Sequence, residues 1–133
     1  MKLTRILTPK NCIQKKINKR TSEKLRHVEI YDLVNKKDEA FLKENIMPLA
    51  SFARKRHLGL SFTNGEGLFK NQTIMRVYEK KWHHIGGELP MSYHTFDHVA
   101  SGFANISKRG NNPRAIIESL KDEAIRLFRN KQT

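Results

Sequence analysis

The spacing of apolar residues changes several times along the chain. Over 27–34, Val28, Ile30 and Val34 suit one face of a β-strand, while Leu25, Val28 and Asp32 or Leu33 would also fit a helical stripe; the expectation is a strand. From Asp38, placed to cap a helix, Phe41, Leu42, Ile46, Leu49, Ala50 and Ala53 recur at helical spacing. Pro48 removes a backbone donor and crowds the preceding turn, so the pattern predicts one bent helix or two short ones meeting at Met47 and Pro48. Arg54, Lys55, Arg56 and His57 suit the negative end of a helix dipole, and Gly59 is placed as the terminator.

Leu58 to Thr63 reads as a short strand, and Asn64-Gly65-Glu66-Gly67 supplies residues that tolerate the positive φ of a tight turn. Residues 72–85 are ambiguous. Thr73, Ile74, Val77 and Tyr78 favour strand, yet Ile74, Met75, Tyr78, Trp82 and Ile85 fall on one helical face. The expectation is a helix over 72–84, capped by Asn71 and followed by Gly86. After the break at Gly86-Gly87-Glu88-Leu89-Pro90, Ser92 can cap a helix over 92–106 that buries Phe96, Val99, Ala100, Phe103 and Ile106. The plainest helix is the last. Asn112 caps it, Pro113 takes its first position, and Ile116, Ile117, Leu120, Ala124, Leu127 and Phe128 line one side, with Arg126 and Arg129 at the end.

The expected fold is therefore α+β and mainly helical, a small single domain over 27–133. It would hold a short strand pair at 28–34 and 58–63 and three to four helices, behind a basic N-terminal arm over 1–26. A length of 133 residues with 38% apolar composition supports one core without metal or disulfide staples. Cys12 is the single cysteine, and basic residues interrupt every apolar run well short of the roughly 20 positions that cross a bilayer. A cytoplasmic protein with no membrane partner is expected, and Ile6, Leu7, Ile13 and Ile17 are too interrupted to form a signal segment.

Charge sharpens the picture. Lysine and arginine number 26 against 13 acids, a net charge of +13 and a pI near 10.1. Residues 1–27 carry +8 of that excess, with Glu23 their one acid. Self-repulsion at this level destabilises a compact chain, so a polyanionic partner is the economical reading. The expected function is a small nucleic-acid-binding protein, DNA in preference to RNA, acting as an accessory or regulatory factor through phosphate contacts. The candidate contacts are Lys15, Lys16, Lys19, Arg20, Arg54, Lys55, Arg56, Lys80, Lys81, Lys108 and Arg109.

Other constellations are thinner. The expected helices 72–84 and 92–106 could form a helix-turn-helix that presents Ser92, Tyr93, His94, Thr95, Asp97 and His98 to bases, but Asp97 would repel phosphate and simple helix packing is the plainer reading. Tyr31, Tyr78, Tyr93 and Trp82 could stack on bases, although Tyr78 and Trp82 share the helical apolar face and read as core. His94 and His98, four apart on a helix with Asp97 beside them and His83-His84 shortly before, make half a metal site. Thr95 stands where a metalloprotease helix needs Glu, so neither metal nor cofactor is expected. No catalytic residue is assigned. The candidates His94, Asp97 and His98 define one alternative, a His-dependent nuclease or ribonuclease. A basic adaptor or inhibitor gripping an acidic protein is the other. Glycines 65, 67, 86 and 87 form neither phosphate-cradling motif, which disfavours nucleotide-driven activity.

Overall fold

The computed structural model describes residues 26–88 and 91–130. Its elements are β1 (Val28–Ile30), α1 (Lys36–Glu44), α2 (Ile46–Lys55), β2 (Leu58–Asn64), β3 (Thr73–Ile85), β4 (Met91–Phe103) and α3 (Pro113–Asn130), with single 3-10 turns at Gly67–Phe69 and Ile106–Lys108. The strands form one sheet in the order β1-β2-β3-β4; β1 runs parallel to β2, and the other pairs are antiparallel. The fold is thus mixed α/β, which corrects the mainly helical expectation. Residues 73–85 and 91–103, which overlap the helices expected over 72–84 and 92–106, are the two longest strands. The helix-turn-helix falls with them.

A β-bulge accounts for the false helical signal in β4. Tyr78 pairs with His98 while Val77 pairs with Ala100, so Val99 is an extra residue in its strand. The bulge lets Phe96 and Phe103, seven positions apart, lie on the same face of the sheet, which strict alternation would forbid. Seven is also two helical turns.

Elsewhere the local signals were displaced rather than absent. Asn35, not Asp38, caps α1: its Oδ1 accepts from the backbone N–H groups of Lys37 and Asp38 at 3.1 and 3.2 Å. The helices part at Asn45, so Pro48 sits in the first turn of α2, where its missing N–H has no intrahelical partner to lose. His57, at φ 58°, takes the left-handed position after α2, and Gly59 belongs to β2 instead of ending the helix. The last helix begins at Pro113 as expected, with the Asn112 Oδ1 accepting from Arg114 N at 2.9 Å.

All three helices cover one face of the sheet. Val28, Leu60, Phe62, Met75 and Val77 point into that layer. There they meet Leu42 of α1, Leu49, Ala50 and Ala53 of α2, and Ile116, Ile117, Leu120, Ala124 and Leu127 of α3 in one buried cluster. Phe62 is fully buried at its centre, and burying such a side chain contributes about 1.5–3 kcal/mol. Gly102 admits α3 closely, since a Cβ there would stand 3.1 Å from Leu127 Cδ1. Among the described residues, no helix is long and apolar enough to cross a membrane.

Candidate nucleic-acid interface

Cross-strand partners in a pleated sheet share a face. The register therefore divides the polar and aromatic residues of the β3–β4 hairpin into two sets. Away from the helices lie the pairs Tyr78–His98, Lys80–Phe96, Trp82–His94 and His84–Ser92, together with Arg76 and Ser101. Gly59, Ser61 and Glu29 continue the same face through β2 and β1. Among the described residues no helix covers it. At one end Phe69, from the β2–β3 connection, packs on Phe103 with ring centroids 5.3 Å apart.

On this face the rings form a continuous series. Trp82 meets His94 at 5.2 Å between centroids, His94 meets Phe96 at 5.5 Å, and Phe96 meets His27 at 5.2 Å, each edge to face. Tyr78 and His98 make a separate edge-to-face pair at 5.5 Å, and the Tyr78 hydroxyl lies 3.2 Å from Ser61 Oγ. Cations border the rings. Lys80 Nζ stands 5.1 Å from the Trp82 centroid, within the range of cation–π attraction. Trp82, expected in a core, is 56% exposed.

Two of these imidazoles resist protonation. Burial lowers the pKa of His27, helped by the positive charges of Lys80 and Arg54, and its Nδ1–H donates to the Leu58 carbonyl at 2.8 Å. Desolvation also lowers His94, with Lys80 and Arg26 acting in the same direction. Near neutral pH both are uncharged; His94 is half-buried at the face, whereas His27 is buried against Phe96.

The face toward the helices has different chemistry. His83 stacks on Tyr93 at 4.9 Å, its Nε2 lies 2.9 Å from Thr95 Oγ1, and the Thr95 hydroxyl donates to Asp97 at 3.0 Å. Lys81 joins this set, 3.8 Å from Glu79 and 4.0 Å from Asp97. Asp97 is therefore on the opposite face from His94 and His98, and the three candidates do not converge as helical spacing implied. His98 instead makes a 2.8 Å hydrogen bond with Ser101, and His84 makes one with Ser92. Among the described residues, no three histidine, cysteine or acidic side chains stand together as a metal site.

The basic candidates scatter. Lys80 lies on the ring face and Lys81 beneath it. Lys55 and Arg56 line a broad groove of about 580 Å3 on the helical side with Phe52 and Lys121, and Arg56 and Lys121 approach the Phe52 ring at 5.5 and 5.9 Å. Arg54 follows Ala53 on α2 and acts electrostatically on His27. Lys108 is exposed, whereas Arg109 is occupied by the fold. Its guanidinium donates to the carbonyl of Phe103 at 3.0 Å, to that of Ala104, and to Ser119 Oγ at 2.8 Å. Burial lowers its pKa. Lys15, Lys16, Lys19 and Arg20, with most of the expected arm, lie outside the described residues.

Phe96, His27, Gly59, Arg76 and Arg26 were missing from the sequence-derived site. Helical spacing places Phe96 in a helix interior, and the β-branched and aromatic content of 73–82 is the signal for a strand. No protein-family model matches the chain, and no curated protein or solved structure matches it.

Proposed function

We propose that the protein binds single-stranded nucleic acid, DNA ahead of RNA, as a small accessory or regulatory factor. Bases stack on the ring series of the open sheet face, and phosphates meet Lys80, Arg76 and Arg26. The exposed Trp82 ring beneath Lys80, at the head of that series, carries the reading. A large aromatic left in water beside a cation is what a base-stacking surface requires, and such stacking is worth about 1–3 kcal/mol per base. The net charge of +13 supplies the long-range attraction to phosphate. An open sheet face lined with rings suits splayed bases better than a duplex, whose bases are already stacked on one another.

The test is a salt-titrated binding assay on the full chain against single-stranded DNA, single-stranded RNA and duplex of equal length. A chain shortened to begin at Arg26 serves as the comparison. Single strands should bind more tightly than duplex and quench the fluorescence of Trp82, the chain's one tryptophan. If no oligonucleotide binds in dilute buffer, the reading fails.

The hairpin tip supports a second reading. Ile85 and Met91 face each other across it at 51% and 63% exposure, an apolar end near basic surface. An acidic protein could be gripped there. Binding of an acidic polypeptide that survives Trp82→Ala but fails in Ile85→Ser would favour this reading over the first.

A further inference from the structure

Where the ring series reaches β1, the open face holds a pocket of about 120 Å3 lined by Arg26, His27, Glu29, Gly59, Tyr78 and Phe96 among others. It is far smaller than the roughly 300 Å3 at which drug-sized ligand sites begin, and it suits a single planar heterocycle. Gly59 makes its shape possible. A methyl group there would stand 2.9 Å from Phe96 Cδ1, so glycine lets the Phe96 ring close on the strand without shifting.

The hydrogen-bonding character of the pocket is weighted toward acceptors. His27 commits its Nδ1–H to the Leu58 carbonyl, which leaves Nε2 of the neutral ring with a lone pair and no proton. Burial holds the ring in that neutral form. Glu29 adds a carboxylate with two acceptor oxygens, touched by the Tyr31 hydroxyl at a long 3.5 Å. Arg26 brings donors to the rim.

Among the common bases, guanine alone presents two adjacent donors, N1–H and the N2 amino group, beside a carbonyl oxygen on its Watson–Crick edge. Adenine and cytosine set one donor beside an acceptor, and thymine and uracil set one donor between two acceptors. Single-stranded bases are read on this edge once they are unstacked. Resting on the single-strand reading above, we infer that this pocket is a guanine-selective subsite. Glu29 takes the two donors, Arg26 meets O6, and Phe96 and Tyr78 provide the apolar contact.

The experiment measures the affinity of the full chain for a thymidine 12-mer and for the same 12-mer with one central base replaced by guanine, adenine, cytosine or hypoxanthine. Guanine should raise affinity about tenfold over thymine, the scale of one good bidentate contact to a base. Hypoxanthine, which lacks the N2 amino group, should recover only part of that gain. Glu29→Gln replaces one acceptor oxygen with a donor and removes a charge that repels phosphate, so it should abolish the guanine gain while the thymidine 12-mer binds at least as tightly as to the wild type. Equal affinity for all substituted oligomers, or a guanine gain that persists in Glu29→Gln, overturns the pocket assignment and leaves the stacking face standing. Failure of every oligomer to bind overturns the face and the pocket together.

Discussion

The Thr73 hydroxyl at the start of β3 donates a 2.7 Å hydrogen bond to the Asp38 carboxylate in the first turn of α1, and both side chains are buried. The contact fastens the helical layer to the sheet between residues 35 positions apart. Thr73→Val keeps the side chain's shape and strands the buried acceptor, a loss of about 1–3 kcal/mol. Asp38→Ala removes the acceptor and exposes the mirror problem, an unpaired hydroxyl, so the double variant should cost less than the two single changes added. Urea denaturation of the three variants measures this coupling.

Gly59 should be the least tolerant position on the open face. Gly59→Ala pushes on Phe96, and overpacking of this kind costs about 1–3 kcal/mol. Displacing Phe96 also breaks the ring series between His94 and His27, so oligonucleotide affinity should fall with stability. A thermal melt and a binding titration on the same sample check both effects. Wild-type values in both would refute the close approach.

Trp82 should behave in the opposite way. Its ring is mostly solvent-exposed, so Trp82→Ala should leave stability within about 0.5 kcal/mol of wild type. Its loss from a stacking surface should weaken single-strand binding by about 1–3 kcal/mol, or roughly five- to 150-fold. Trp82→Phe should retain most of the affinity. A Trp82→Ala protein that binds single strands normally would remove this residue from the interface.

Acid should destabilise the fold through His27. Its folded-state pKa is lowered from the ordinary 6.5, so above that pH neither folded nor unfolded imidazole holds a proton and stability is fully present. As the pH falls through 6.5, the unfolded chain takes up a proton that the folded ring refuses, and stability declines until the folded ring titrates as well. His94 acts in the same direction. Asp32 and Glu39 are held below their ordinary values by hydrogen bonds from Lys36, so their contribution is lost only in more acidic solution. Melting temperatures between pH 7.5 and 5 should fall with acidity in the wild type and fall less steeply in His27→Gln.

How much of this was legible in the chain depended on whether a segment had one buried side. The last helix, with Ile116, Leu120, Ala124 and Leu127 facing the core, announced its stripe and both ends. Leu58 to Thr63 was recognisable because β2 is short and buried along most of its length. The β3–β4 hairpin was not. Beyond Glu79 it has no further neighbour in β2, so Lys80 to Ile85 are largely surrounded by water on both sides and show no period of two. The Val99 bulge then put Phe96 and Phe103 in helical phase. Because the candidate interface is built on that hairpin, helical spacing also conceals it: the spacing keeps His94 and His98 on one face but places Phe96 and Trp82 in an interior.

The brevity of β1 bears on how recognition would be timed. Its three residues reach the sheet only after residues 31–57 have closed a loop, whereas β2, β3 and β4 are joined through shorter local connections. Closing that loop costs entropy, and so short a strand returns little of it. The hairpin should assemble early, with β1 docking late and opening first during local unfolding. His27 and Glu29 ride on this segment, so the guanine subsite exists only while β1 is zipped onto β2. Base capture and strand docking then become one equilibrium, and an occupied subsite should slow amide exchange in β1 more than in any other strand.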